Sequence, residues 1–169
     1  MNIEKILVPI DYSDHSYQAL QWGASLADLY GAQLLLLHVL PKAVEEVSRD
    51  VPTHEWVPSR YYEGMGSGTE PFRVEQIIID LVEEARTHLY DLAAKDLRET
   101  LPVEVRVAVG RPAAEILRVA HEEAVDLIVM GTHGRTGLRH ALFGSVAEKI
   151  VRSATCPVFT VRAGAKMAP

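Results

Sequence analysis

Apolar residues along this chain fall into two rhythms. Ile6, Leu7, Val8, Pro9 and Ile10 form an unbroken apolar run that ends at Asp11, the pattern of a short strand buried on both faces. The spacing then lengthens. Ala19, Leu20, Ala24 and Ala27 recur at helical intervals. Ser13 stands where a helix N-cap is wanted and Gly31 where a helix stops, which predicts a helix reaching about residue 30. A second continuous apolar run fills residues 34–40. A long helix is predicted over residues 72–99, with Ile78, Leu81, Val82, Ala85, Leu89 and Leu92 on one face. Residues 103–109 alternate, with Glu104 and Arg106 opposite the apolar set, so this strand has one polar face. Gly110 breaks it. Pro112 suits the first turn of a third helix running to about residue 124. A third apolar run at 126–130, a glycine-rich stretch, a helix over 145–153 and a strand over 157–161 complete the chain.

The order β-α-β-α-β-α-β-α-β has a restricted set of solutions. Strands apolar on both faces and joined by helices form a parallel sheet covered on both sides. Right-handed crossovers then give an α/β fold, an open doubly wound five-stranded parallel sheet with helices on both faces. With strand order 3-2-1-4-5, strands one and four are neighbours whose helices leave to opposite faces. Ligands bind at such a switch point, outside the carboxyl ends of the strands. Residues 41–71 break the rhythm. They contain Pro41, Pro52, Pro58, Gly64, Gly66 and Gly68 with Trp56, Tyr61 and Tyr62, and far exceed the usual connection of about 2–6 residues. Two readings stand: a surface insertion, or a lid or partner-contact surface anchored by its aromatics. The run from Gly64 to Gly68 follows no strand and reads as flexible linker rather than a phosphate loop.

Composition narrows the class. The 169 residues suit one domain, and 48% hydrophobic residues exclude disorder as the main state. The formal net charge is −6, and no Lys/Arg run is dense enough to track a nucleic-acid backbone, so no nucleic-acid partner is expected. The single cysteine, Cys156, rules out an intrachain disulfide and reads as a small buried apolar residue. No leader is visible before the first strand, and the run at 34–40 is too short to cross a bilayer. No membrane insertion and a cytoplasmic location are therefore expected.

The candidate chemistry lies in residues 130–145, which follow an apolar strand and open a helix. Gly131 and Gly134 remove side chains where a backbone must approach a phosphate closely or take positive φ. Gly144 and Ser145 start the last helix, where free N–H groups and the dipole favour an anion by about 0.3–1 kcal/mol per charge. Ser145 adds a hydroxyl. His133, Arg135 and Arg139 add local cationic or hydrogen-bonding groups. The competing reading is a turn that only reverses the chain. Asp11, at the end of strand one, would flank the same crevice. It either faces a ribose hydroxyl or base amine, or makes a local turn with the N–H groups ahead of the helix. No Walker A pattern occurs. The seven histidines show no metal-ligand spacing, and His38 reads as a satisfied core histidine. Glu83-Glu84 and Glu122-Glu123 diverge on their helices and solvate them. No nucleophile with an adjacent base is evident.

Val8-Pro9-Ile10-Asp11 with Ser13 and Ser16, His38-Val39, Gly110-Arg111-Pro112, and above all Gly131-x2-Gly134-x9-Gly144-Ser145 resemble the universal stress protein family, in its ATP-binding branch, over nearly the whole chain. The 41–71 insertion departs from the family's shorter connection. The resemblance implies residues 1–162 as a single nucleotide-binding domain with a tail at 163–169. It implies ATP, or AMP or ADP, with any Mg2+ or Mn2+ held by the phosphates. The implied site is Pro9, Asp11, Val39, Met130, Gly131, His133, Gly134, Arg135, Gly144, Ser145 and Val146. Adenine would lie near Asp11, Val39 and Met130, ribose near Asp11 and Gly131, and phosphates near Gly134, Gly144, Ser145 and Val146. It further implies a homodimer through the last strand and a regulatory role in stress response, often without a defined reaction. Two alternatives remain open: a slow ATPase or autophosphorylating protein using Ser145, and an adaptor acting through residues 41–71.

Overall fold

A computed structural model describes residues 2–41, 74–134, 143–162, 164 and 165. Arg135, Arg139 and nearly all of the 41–71 insertion therefore lie outside the described residues, as does most of the tail. Among the described residues five strands and four helices alternate: β1 (Lys5–Pro9), α1 (Asp14–Tyr30), β2 (Gln33–Pro41), α2 (Val74–Asp96), β3 (Val103–Gly110), α3 (Pro112–Glu122), β4 (Leu127–Gly131), α4 (Ser145–Ser153) and β5 (Val158–Val161). All pairings are parallel and the strand order is β3-β2-β1-β4-β5, as the apolar runs predict.

The pleat sends alternate residues to opposite faces. Ile6, Val8, Leu34, Leu36 and Val129 pack with Ala19, Leu20 and Ala27 of α1 and Leu89 of α2. Leu7, Leu35, Leu37, Ile128 and Met130 pack with Ile116 and Val119 of α3 and Ala147 and Ile150 of α4. Each face thus carries two helices. The local signals act where expected. Ser13 caps α1, accepting from the Ser16 N–H, and Gly31 ends it at φ 65°. Two helices are shorter than the apolar spacing suggests, α2 stopping at Asp96 and α3 at Glu122. Asp126 falls just outside β4. Its carboxylate instead accepts from the Glu4 and Lys5 N–H groups at 2.8 and 3.0 Å, tying the start of β1 to its neighbour. The polar face of edge strand β3 is an ion network: Arg106 contacts Glu104 at 3.1 Å and Glu123 at 2.5 Å, and Lys5 contacts Glu123 at 2.8 Å. The Lys5 hydrogen bond and the Arg106 charge hold the Glu123 carboxyl below its usual range.

One irregularity opens the site. β1 stays paired with β2 as far as Pro9 opposite Leu37, but its ladder with β4 holds only Ile6–Leu127 and Leu7–Ile128. Ile10 N–H donates to Leu37 of β2 at 2.8 Å. Successive N–H groups alternate sides, so the N–H that Pro9 lacks is the one that would face β4. Proline is tolerated there because the two strands have already parted.

Candidate functional site

The parted strands leave a crevice of about 570 Å³ at the carboxyl edge of the sheet, within the range of small-molecule sites. Pro9, Asp11, Val39, Met130, Gly131, His133, Gly134, Gly144, Ser145 and Val146 all line it. The fold thus brings together every site residue expected from the sequence except Arg135, which lies outside the described residues.

Two connections build its centre. In the turn from β1 to α1, the Asp11 carboxylate accepts from the Ser13 N–H at 3.1 Å and the Ser13 hydroxyl at 2.5 Å. Ser13 Oγ in turn accepts from the Ser16 N–H at 3.3 Å, and Ser16 Oγ donates to the Ser13 carbonyl at 2.8 Å. Of the two readings of Asp11, the local turn is therefore realised, and the residue still lines the crevice. In the connection from β4 to α4, Thr132 N–H donates to Val161 at 2.9 Å and the Thr132 carbonyl accepts from Gly144 N–H at 2.7 Å. That second bond pins the two ends of the loop together. Gly144 is the N-cap of α4 and, as a glycine, supplies no side-chain bond to the helix end. The N–H groups of the first helical residues, Ser145 to Ala147, have no partner within the helix, and all three residues line the crevice.

The glycines are needed for a reason the sequence did not disclose. A Cβ on Gly131 would lie 2.9 Å from His15 Cβ, and one on Gly134 would overlap the Asp11 carboxylate. Neither residue takes a positive φ; among the described glycines only Gly31 and Gly164 do. Of the two reasons for a glycine at these positions, close approach or positive φ, the second is not the one realised. These glycines let the β4 loop close against α1 and against Asp11. Gly144 differs, because a Cβ there would make only ordinary contacts, the nearest at 3.5 Å to the Thr132 carbonyl.

The opposite wall is apolar. Val39 and Pro41 of β2 and Pro112 and Ile116 of α3 line it, with Leu40 beside them. β2 and β4 flank β1, so the apolar slot and the α4 end stand about 10 Å apart across two strand spacings. Sequence reasoning missed Tyr12, Thr132, Pro112 and Ile116 as wall residues. The Gly110-Arg111-Pro112 break was the available signal for the last pair, since it starts a helix at the ligand edge. His38 is the satisfied core histidine expected, with Nδ1 2.7 Å from the Ile10 carbonyl, and it also lines the crevice. Tyr12 stacks on it with ring centroids 4.7 Å apart, and burial pushes the Tyr12 phenol up to about 12. Among the described residues no group of three or more His, Cys, Asp or Glu side chains is placed to hold a metal ion, and no helix is long and apolar enough to cross a membrane.

A doubly wound sheet with a ligand-sized crevice at its switch point defines a Rossmann-like α/β protein. The sequence profile of the universal stress protein family matches residues 2–162, and the chain belongs to that family. It is 34% identical over 158 residues to universal stress protein YxiE of Bacillus subtilis, covering 94% of this chain and 98% of that one. It is 32% identical over 160 residues to universal stress protein MJ0577 of Methanocaldococcus jannaschii, covering 94% of each. The solved structure of MJ0577 superposes with a TM-score of 0.74 at 27% identity over 98% of this chain and 100% of that one. The universal stress protein from Archaeoglobus fulgidus in complex with dAMP superposes with a TM-score of 0.57 at 23% identity, covering 95% and 98%.

Proposed function

We propose that this chain is an adenine-nucleotide-binding universal stress protein, with ATP as first ligand, that acts as a regulatory module in stress response. One observation carries the reading: the uncapped N-terminus of α4 and an apolar slot share one crevice about 570 Å³ in volume. An anion suits the helix end, where partial positive charge and free N–H groups coincide. A flat, largely apolar base suits the slot between Val39 and Ile116. The separation of the two ends, about 10 Å, matches a ligand with a base at one end and phosphates at the other. A family member solved with dAMP is in keeping with this.

In this reading adenine lies against Val39 and Met130 beside Pro9, ribose by Asp11 and Gly131, and phosphates on Ser145, Val146, Gly144 and Gly134 with His133 alongside. A magnesium or manganese ion would be held mainly by the phosphates. Residues 1–162 act as one nucleotide-binding domain. Among the described residues β5 pairs only with β4, so its outer edge is the surface through which two copies would pair. The cytoplasm, where adenine nucleotides abound, is the site of action that goes with this role.

Calorimetry with ATP, AMP and adenosine, with and without magnesium, tests the reading. Binding that strengthens with phosphate count supports it, and no heat with any of the three sinks it. Mass spectrometry of the protein denatured after purification checks for a carried nucleotide. A second reading, slow hydrolysis or autophosphorylation, has one supporting observation: Ser145 is exposed and stands at the α4 end. Phosphate release or self-labelling that is unchanged in Ser145→Ala would remove it.

A further inference from the structure

Tyr12 is a strained residue at a junction. Its φ is 63°, a left-handed conformation that a bulky non-glycine residue adopts at a cost of about 1–3 kcal/mol and keeps only when its surroundings hold it there. It stands between Asp11 and Ser13 in the turn that shapes one side of the crevice, and it is itself a lining residue. Its ring meets α2. The His88 ring lies edge-on at 6.3 Å, and the Tyr12 hydroxyl donates to the Ala85 carbonyl at 3.4 Å. Leu40, a second wall residue, packs on Leu81 and Ala85 of the same helix. Among the described residues, no α2 residue lines the crevice.

We infer that Tyr12 is a positioning residue, wedged between the crevice and α2 so that the setting of Asp11 and the packing of α2 depend on each other. The inference rests on the nucleotide reading above. Its physical content is linkage. α2 holds Tyr12 in the left-handed region, and that conformation aims the Asp11 carboxylate at Ser13 and the crevice. A ligand that engages Asp11 favours the same turn, and so favours the α2 packing that supports it. Such coupling is reciprocal. Nucleotide binding would thereby become visible on a helix that the nucleotide never touches.

Hydrogen–deuterium exchange on the full chain, with and without saturating ATP, tests this. Ligand contact should slow the amides at the start of α4 directly. The inference adds that amides of residues 81–89 in α2 slow as well, by about 5-fold or more, the lower end of usual coupling. Tyr12→Asn keeps a residue that tolerates positive φ but removes the ring; with ATP raised until the α4 response saturates, it should abolish the α2 response. Tyr12→Phe keeps the ring and should retain the α2 response. An α4 response with no α2 response in the unmodified protein overturns the inference and leaves the nucleotide reading standing. An undiminished α2 response in Tyr12→Asn also overturns it. Silence at both helices overturns the inference and the nucleotide reading together. The unmodified protein alone can decide against the proposal, even if Tyr12→Asn does not fold.

Discussion

Two strand-to-helix connections meet at the switch point, and they treat their helix ends in opposite ways. The β1–α1 connection takes residues 10–13 and closes on itself: Asp11 accepts from the Ser13 N–H, Ser13 Oγ accepts from the Ser16 N–H, and Ser16 Oγ donates back to the Ser13 carbonyl. The β4–α4 connection takes residues 132–144 and ends in a glycine that offers the helix no side-chain cap. Both helix ends lie at the same edge of the sheet and both carry partial positive charge. The topology does not distinguish them. The choice of cap does, because a satisfied N–H group has nothing left to offer an anion. Anchoring differs too. Five residues of the 17-residue α1 are buried, against only Ala147 and Ile150 in the nine-residue α4.

That comparison can be broken at several points. The largest expected effect is on α4. Ile150 is fully buried, and Ile150→Ala should cost about 2–5 kcal/mol, read as a lower denaturant midpoint. A cost near that of a surface change would mean that α4 is not held through this residue. Next comes the contact between the two connections. Gly134→Ala places a methyl on the Asp11 carboxylate and should cost about 1–3 kcal/mol of stability, with weaker ATP binding; an unchanged melting temperature would deny that the loops touch there. Ser13→Ala removes the α1 cap and should cost about 1 kcal/mol in thermal or chemical denaturation.

Gly144→Asp would make the open end resemble the closed one. The backbone there, at φ −71°, accepts any residue, and a Cβ meets only ordinary contacts. Stability should rise by a few tenths of a kcal/mol, while calorimetry shows ATP binding lost and adenosine binding kept. Equal loss of both would show that the phosphate end is elsewhere. The smallest effect is absent at neutral pH. The Tyr12 phenol lies at about 12 in the folded chain, raised from 10.0 by burial. The unfolded state therefore releases this proton first as pH rises. Stability from this group is whole below pH 10 and drains between pH 10 and about 12. Tyr12→Phe should remove that component from the alkaline denaturation curve.

Much of the architecture was legible because it is written in local terms. The α4 helix falls over residues 145–153, where the chain resumes after the glycine-rich stretch. Ser13 and Gly31 marked α1 because capping depends on residues only a few positions apart. The site was legible as a set of positions, not as a set of contacts. A glycine in a loop says that a side chain is unwelcome, but not what takes its place. His15 and Asp11, which exclude side chains at Gly131 and Gly134, come from the other end of the chain. Tyr12 went unnoticed because tyrosine seldom adopts positive φ, so nothing in its identity announces the turn. Its partners in that turn, His38 and the α2 residues His88 and Ala85, lie far along the chain.

The sequence by itself determined the alternation of strand and helix, the parallel sheet that buried strands demand, and the glycine-rich connection at its carboxyl edge. Hydrophobic spacing and caps act over a few residues, so these features can be read in order along the chain. The tertiary structure alone decided where β1 and β4 part, which of two equivalent helix ends stays open, and why Gly131 and Gly134 must be glycines. Each of those depends on surfaces from distant segments meeting at van der Waals distance, and no local periodicity encodes that.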